Sequence, residues 1–375
     1  MIRRKFGVTL SKIIRGSDMI TGNSTLPLRA VAGSGRALVM TAAAISMSGW
    51  AAPAAQAATN IVLNEFVPPR DPMNTKVINP WTRDVTKATD GRVTFTILPT
   101  SVAAPDQLWP SVQNGIVDAA YLFNGLVANQ LPLEQIAALP FIPGTSQARS
   151  LAIWRTYKRF FAAKGEYRPV KLLAIFSQPV AKLYSMKKPV TKPADLVGMR
   201  VWALPGVPQK LFEGTGAGVV SRPAVQMSEL VTGGTVDAVA GLSAFSISRF
   251  KVMPYMKYET DFPGGLTSAT FSFIINRSKW LSIPAADRKI IEKLSGEALD
   301  QRFNAVDQDD EVAEKQALAG GVKVVKPTPE LIALIKKQGA PLYAAWIAKA
   351  KSLGVDGKAA LAYFIAQCAH PDPAP

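Results

Sequence analysis

The sequence predicts an α/β fold made of two lobes. The phrase V-x-x-G-x-V-D-A occurs twice, at residues 112–119 and 231–238, each time between a helical pattern and an apolar run. Glycine adopts the left-handed conformation in which many helices end, and a short apolar run after it indicates a buried strand. Two such helix-to-strand returns indicate two lobes of similar plan, and a cleft between lobes is a common place for a small ligand.

The composition is that of a folded protein with room for two domains. The chain has 375 residues, of which 48% are hydrophobic and 19% charged. Its formal net charge of +16 is accompanied by no nucleic-acid-binding motif. We therefore expect no nucleic-acid partner, and a basic surface that favours anionic solutes or a negatively charged membrane.

The scarcity of cysteine and histidine argues against several kinds of chemistry. Cys368 is the single cysteine and His370 the single histidine. An intramolecular disulfide is excluded, and a His/Cys metal site, a thiol nucleophile and a Ser-His-Asp triad are all disfavoured.

Residues 1–57 are interpreted as a signal peptide, with Met19 or Met40 as alternative starts. Residues 37–58 carry no charge, and Ala55-Gln56-Ala57 fits the A-x-A rule for cleavage near Ala57. An uncleaved membrane anchor is the alternative. Export without disulfides favours a bacterial periplasm.

Alternating helical and strand patterns divide the rest of the chain. A β-α-β-α-β series ends at residue 123, which is typical of a mostly parallel sheet, and the pattern begins again near Lys171. Residues 284–318 read as one long amphipathic helix that spans both lobes. No low-complexity linker separates the halves, so we expect at least two crossovers. The predicted lobes are residues 58–179 plus 270–307 (lobe I) and 180–269 plus 308–375 (lobe II).

No motif for catalysis is present. The sequence lacks the dinucleotide, P-loop, zinc-protease and esterase signatures. The acidic run 307–311 lacks the glycine and terminal glutamate of a calcium loop, and a solvated helix face is the favoured interpretation. Asp118 and Asp237 begin strands, where we expect structural hydrogen bonds. The sequence thus predicts no enzyme, no metal and no cofactor, and favours a solute-binding protein.

A series of short segments in a particular order carries a family resemblance. The segments are Gly91-Arg92-Val93, Leu98-Pro99, Asn114-Gly115-Ile116-Val117-Asp118, Ala138-Leu139-Pro140-Phe141, Lys188-Pro189-Val190, Asp195-Leu196-Val197-Gly198-Met199-Arg200-Val201, Gly216-Ala217 and Gly233-Gly234-Thr235-Val236-Asp237. This order resembles the DctP-type periplasmic solute-binding proteins of tripartite ATP-independent periplasmic (TRAP) transporters. The resemblance implies a two-lobed periplasmic-binding-protein (Venus-flytrap) fold that closes on a small molecule. It also implies transfer of that molecule to small and large membrane subunits, which import it with an ion gradient; we expect a monomer.

One position departs from the resemblance. Most relatives bind organic acids through an arginine four residues after the glycine of the D-L-x-G segment, where this chain has Trp202. If Trp202 lines the cleft, the bidentate carboxylate clamp is absent and an indole offers an apolar plate with one N–H donor. The alternative is that Trp202 packs inside a lobe. Lys182 falls near a second basic position of the relatives, where it would either meet an acid or lie solvated at the rim. The other expected ligand-binding residues are Asn64, Phe66, Phe123, Asn124, Arg200, Ala224, Gly241 and Thr270.

The sequence therefore predicts an extracytoplasmic solute-binding subunit of a TRAP importer. Its ligand would be an aromatic or hydrophobic carboxylate or a neutral polar molecule, and a plain C4-dicarboxylate is disfavoured. The alternative is a periplasmic ligand-sensing protein with a signalling partner, or a periplasmic enzyme on the same fold.

Overall fold

Two β-sheets and the helices that cover them form the computed structural model, which describes residues 58–370. The predicted signal peptide lies outside these residues. The strands are β1 Thr59–Asn64, β2 Val93–Ile97, β3 Ala119–Phe123, β4 Val170–Ser177, β5 Lys182–Ser185, β6 Arg200–Ala203, β7 Gly218–Val220, β8 Ala238–Leu242, β9 Tyr258–Thr260, β10 Thr270–Asn276 and β11 Lys323–Val325. The first sheet has the order β2-β1-β3-β10-β4 and the second β11-β9-β5-β8-β6-β7.

Thirteen α-helices surround the sheets in this part of the chain, and short 3₁₀ and π segments extend several of them. They are α1 Asn79–Ala88, α2 Leu108–Gln113, α3 Ser146–Thr156, α4 Pro193–Leu196, α5 Val207–Phe212, α6 Met227–Thr232, α7 Ala244–Arg249, α8 Arg277–Ser282, α9 Ala285–Leu294, α10 Glu297–Asp300, α11 Asn304–Ala319, α12 Pro329–Ser352 and α13 Gly357–Ala369. No helix between residues 58 and 370 has both the length and the hydrophobicity needed to span a bilayer.

The two sheets repeat one arrangement of strands. β3 pairs in parallel with β1 and antiparallel with β10, and β8 pairs in the same way with β6 and β5. The repeated phrase has the same place in each sheet, and its glycines Gly115 and Gly234 both have positive φ angles, +74° and +65°. The two lobes predicted from the phrase are confirmed.

Both aspartates of the phrase make the expected structural hydrogen bonds. Asp118 accepts the backbone N–H of Val62 at 2.8 Å, and its own N–H donates to the Val62 carbonyl at 3.0 Å. Asp237 makes the same reciprocal pair with Arg200, at 3.2 and 2.7 Å. Val62 and Arg200 are therefore equivalent positions on β1 and β6.

The chain passes between the sheets more than once. β5 of the second sheet follows β4 of the first, and β10 of the first sheet follows β9 of the second. The expected crossovers are confirmed, with residues 178–181 and 261–269 as two of the connecting segments.

The prediction of one long helix at residues 284–318 is wrong, because the helix is interrupted at Ser295 and Gly296, between α9 and α10. Gly296 has a φ angle of +57°, and a Cβ atom there would lie 2.4 Å from the Trp154 ring. The longest helix is instead α12, with 24 residues, which contacts α5 beside the second sheet and residues 133–138 beside the first.

The C-terminal helix bears on the predicted lobe boundaries. α13 packs against α3 beside the first sheet, although the sequence places residues 308–375 in lobe II. The predicted division of the strands between the lobes remains a proposal, and in it α13 belongs with lobe I.

Helix α11 joins elements of both lobes through its acidic residues. Both carboxylate oxygens of Asp307 accept backbone N–H groups at the start of α3, from Ser146 at 2.6 Å and Gln147 at 3.0 Å. Asp310 accepts the N–H of Phe245 in the first turn of α7 at 2.6 Å. The solvated face expected for this acidic run is therefore wrong for Asp307 and Asp310, which bind the N-termini of neighbouring helices.

Replacing Asp307 with Asn is expected to lower the free energy of unfolding by about 1–2 kcal/mol, because charge-assisted bonds to two helix N–H groups are lost. Glu311→Gln is the matched control, since it removes a carboxylate from an exposed position of the same helix. Urea unfolding of both variants checks this. Equal stability of the two variants would contradict the role given to Asp307.

Candidate ligand-binding site

A small cavity lies where the strand ends of the two sheets face each other. Its free volume is ≈ 30 Å³, which is room for about two water molecules. A ligand of ring size therefore requires the lobes or the lining side chains to move apart. The cavity is lined by Phe66, Pro105, Phe123, Leu126, Gln178, Leu204, Pro223, Ala224, Val225, Leu242, Arg249, Phe250, Ala269 and Phe271.

Equivalent strands of the two lobes supply opposite walls of this cavity. Phe66 and Leu204 each lie four residues after the paired positions Val62 and Arg200. Phe123 and Leu242 each lie four residues after the last alanine of the repeated phrase. The internal repeat therefore places two pairs of apolar side chains around one space.

Aromatic rings dominate the first-lobe side of the cavity. Phe271 stacks on Phe66, with ring centroids 6.3 Å apart and planes at 19°, and lies 5.6 Å from Phe123. Phe250 adds a fourth phenylalanine from the second lobe. Such a wall favours a flat apolar ligand, which stacks against the rings.

Two polar side chains interrupt the apolar lining. Gln178 is 2% exposed, and its Oε1 accepts the Ser246 hydroxyl at 2.7 Å. Arg249 ends α7, and its Nη1 donates to Asp71 Oδ1 at 3.2 Å. Gln178 Nε2 and Arg249 Nε are both buried without a hydrogen-bond partner among the described residues.

A second acid lies close to the Arg249–Asp71 pair. Glu65 is buried, and neither of its carboxylate oxygens has a hydrogen-bond partner among the described residues. Burial, together with the neighbouring charge of Asp71, raises the pKa of Glu65 to about 7. The Arg249 side of the site therefore combines one ion pair with a carboxyl group that titrates near neutral pH.

Three of the residues predicted from the sequence line the cavity, namely Phe66, Phe123 and Ala224. Asn124 is buried directly after Phe123. Its Oδ1 accepts the Ser272 hydroxyl at 2.8 Å, and its Nδ2 has no partner among the described residues.

Trp202 and Lys182 both lie outside the lining of this cavity. Trp202 is 0% exposed in the hydrophobic core, the placement that the alternative of packing within a lobe describes. Lys182 donates to Glu259 at 2.7 Å and Glu314 at 2.6 Å. Burial lowers the pKa of Lys182, but the bonds to the two carboxylates outweigh this effect and raise the pKa overall. The ammonium group is thus engaged by two carboxylates that sequence reasoning did not connect with it.

The remaining predicted residues lie outside the lining of this cavity. Arg200 is half exposed and pairs with Asp237 at 2.9 Å. Asn64 bonds to the Ser101 hydroxyl and to the Val102 N–H. Thr270 is buried in β10 but does not line the cavity, and neither does Gly241.

Sequence reasoning missed several lining residues, including Leu204, Leu242 and Phe271. Leu242 could have been predicted from the repeat, because it follows the second phrase at the same distance as Phe123 follows the first. No local pattern marks Gln178 or Arg249, whose positions depend on the crossover segment and on the docking of α7.

Two lobes that enclose a cavity between equivalent strand ends define a two-lobed ligand-binding protein. Residues 63–350 match the family model of bacterial extracellular solute-binding proteins, family 7 (DctP), and the chain belongs to this family. It is a solute-binding protein of the TRAP type.

Three similar proteins illustrate the family. The chain is 37% identical to the outer membrane transporter protein TsaT of Comamonas testosteroni over 317 residues, covering 84% of this chain and 94% of TsaT. It is 31% identical to a TRAP periplasmic solute-binding protein of Bordetella bronchiseptica with bound (R)- and (S)-mandelate, with a TM-score of 0.79, over 84% and 99% of the two chains. It is 25% identical to a marine metagenome TRAP protein specific for aromatic acids in complex with 3-hydroxybenzoate, with a TM-score of 0.76 over 84% and 99%.

Gly241→Ala is expected to lower the free energy of unfolding by about 1–3 kcal/mol more than Gly198→Ala. Both glycines have positive φ angles, +91° and +71°, but an added Cβ meets Pro208 Cβ at 2.7 Å at position 241 and nothing within 4 Å at position 198. The control thus separates backbone strain from the clash. Denaturant unfolding measures both, and equal losses would contradict a tightly packed Gly241.

Proposed function

We propose that this protein is the exported solute-binding subunit of a TRAP importer and that its solute is an aromatic monocarboxylate. The observation that carries the proposal is a cavity walled by four phenylalanines, with one guanidinium group in its lining. The ligands of two similar proteins, mandelate and 3-hydroxybenzoate, have this chemistry and support it.

The charges around the cavity favour one carboxylate over two. Arg249 is the only charged residue among those that line the cavity within residues 58–370. The two other cations considered from the sequence, Lys182 and Arg200, are paired with carboxylates elsewhere. A C4-dicarboxylate would bury a second negative charge without a partner, which is costly.

Binding would proceed by closure of the lobes. Ligand contacts to both walls stabilise the closed state relative to the open one. The closed protein would then deliver its solute to the membrane subunits, without converting it chemically. We further propose that it acts as a monomer in the periplasm after cleavage near Ala57.

A thermal-shift screen of the exported protein tests the solute class. We expect benzoate, 3-hydroxybenzoate and both mandelates to raise the melting temperature, because a ligand at 100 times its Kd adds about 2.7 kcal/mol of stability. Succinate and glucose should have little effect. Stabilisation by succinate equal to that by any aromatic acid would contradict the proposal.

Phe123→Leu is expected to weaken binding of the best aromatic acid by about 2- to 10-fold, because ring–ring contact is lost while the side chain stays apolar. Phe95→Leu is the matched control, since Phe95 packs against Trp81 away from the cavity. Isothermal titration calorimetry measures both. An unchanged Kd for Phe123→Leu would place the ligand elsewhere.

A further inference from the structure

Arg249 lies at the boundary between the inner cavity and an open groove. It lines the cavity together with the phenylalanines, and it also lines a groove of ≈ 840 Å³ that includes Asp71, Lys76 and Asp309. The Arg249 side chain therefore lies between the inner cavity and the groove, and its partner Asp71 lies on the groove side.

The Arg249–Asp71 pair also connects the two lobes. Asp71 follows β1 of the first sheet, whereas Arg249 ends α7, directly after β8 of the second sheet. Both side chains are buried, at 7% and 5% exposure. Separating the lobes would break this pair, and a buried charge left without its partner is strongly unfavourable.

The hydrogen-bonding capacity of Arg249 is only partly used. A guanidinium group has five N–H donors and no acceptor, and the Nε–H of Arg249 has no partner among the described residues. Gln178, in the lining of the same cavity, has an unpartnered Nε2 in the same way. Two buried donors beside one cavity would be satisfied by a ligand group that only accepts hydrogen bonds. An ionised carboxylate is such a group.

Neighbouring aromatic rings keep the guanidinium group in place. Its central carbon lies 4.9 Å from the Phe250 ring centroid and 5.4 Å from that of Phe245. A cation is attracted electrostatically to the face of an aromatic ring, so these contacts stabilise the guanidinium group at this position. Arg249 is thus held by the two rings and by Asp71 independently of a ligand, which lowers the cost of ordering it on binding.

From these observations we propose that Arg249, assisted by Gln178, binds the ligand carboxylate, and that the same guanidinium group couples this contact to lobe closure through Asp71. This inference rests on the proposed function and names the residues that determine its specificity. Arg249 discriminates a charged ligand from an uncharged one, whereas Asp71 contributes to closure whatever the charge of the ligand.

Calorimetric titration with benzoate and with its uncharged analogue benzamide separates these roles. In Arg249→Gln the Kd for benzoate should rise by about 10- to 100-fold more than the Kd for benzamide, the loss expected for a hydrogen bond to a charged group. The Kd for benzamide should rise about as much as in Asp71→Asn, because both variants break the Arg249–Asp71 pair. Arg249→Lys, which keeps the charge, should retain part of the preference for the acid. Asp71→Asn should weaken both ligands and leave that preference unchanged or larger.

Arg200→Gln is the matched control, because it removes a guanidinium group that pairs with Asp237 outside the cavity; it should alter neither Kd. An Arg249→Gln variant that keeps the wild-type ratio of the two Kd values within about 3-fold would overturn this inference and leave the proposed function standing. If the wild-type protein binds no aromatic acid, the proposed function itself fails. Should Arg249→Gln not fold, the loss of preference in Arg249→Lys relative to wild type decides, and an unchanged ratio there overturns the inference.

Discussion

The acidic face of helix α11 is the constraint on which the site depends. Asp307 and Asp310 are three residues apart on one helix, so they project from neighbouring positions. Asp307 binds the N-terminus of α3, beside the first sheet, and Asp310 binds the N-terminus of α7, after β8 of the second. Because Arg249 ends α7, the same helix that joins the lobes also fixes the cation beside the cavity. Glu314, one turn further along, engages Lys182 and removes that ammonium group from competition for an acid.

The internal repeat explains how two lobes form one binding space. Equivalent aspartates fix equivalent strands, and the ends of those strands deliver Phe66 and Phe123 from one lobe and Leu204 and Leu242 from the other. Three of the four lining phenylalanines lie in the first lobe and the fourth, Phe250, lies in the second beside Arg249, which adds the charge. The proposed flat acid would place its ring on the phenylalanines and its carboxylate towards α7.

Sequence reasoning was accurate where the signal is local. The glycines of the repeat, the strand Ala119–Phe123 and the exposure of Phe66 and Phe123 to the cavity follow from short patterns along the chain. It was inaccurate where distant residues decide. Glu259 and Glu314 are 77 and 132 residues from Lys182. Gly296, where the predicted helix breaks, lies against the Trp154 ring, a contact that no helical periodicity reveals. Trp202 shows the same limit, since alternation along β6 does not tell whether the inner face meets a cavity or a core.

A crystal structure of the protein with bound benzoate tests the central claim most directly. It should place the carboxylate within hydrogen-bond distance of Arg249 Nε and Gln178 Nε2, with the ring against Phe123 and Phe271 and the Arg249–Asp71 pair intact. A carboxylate bound to Lys182, or a ring stacked on the indole of Trp202, would contradict the account.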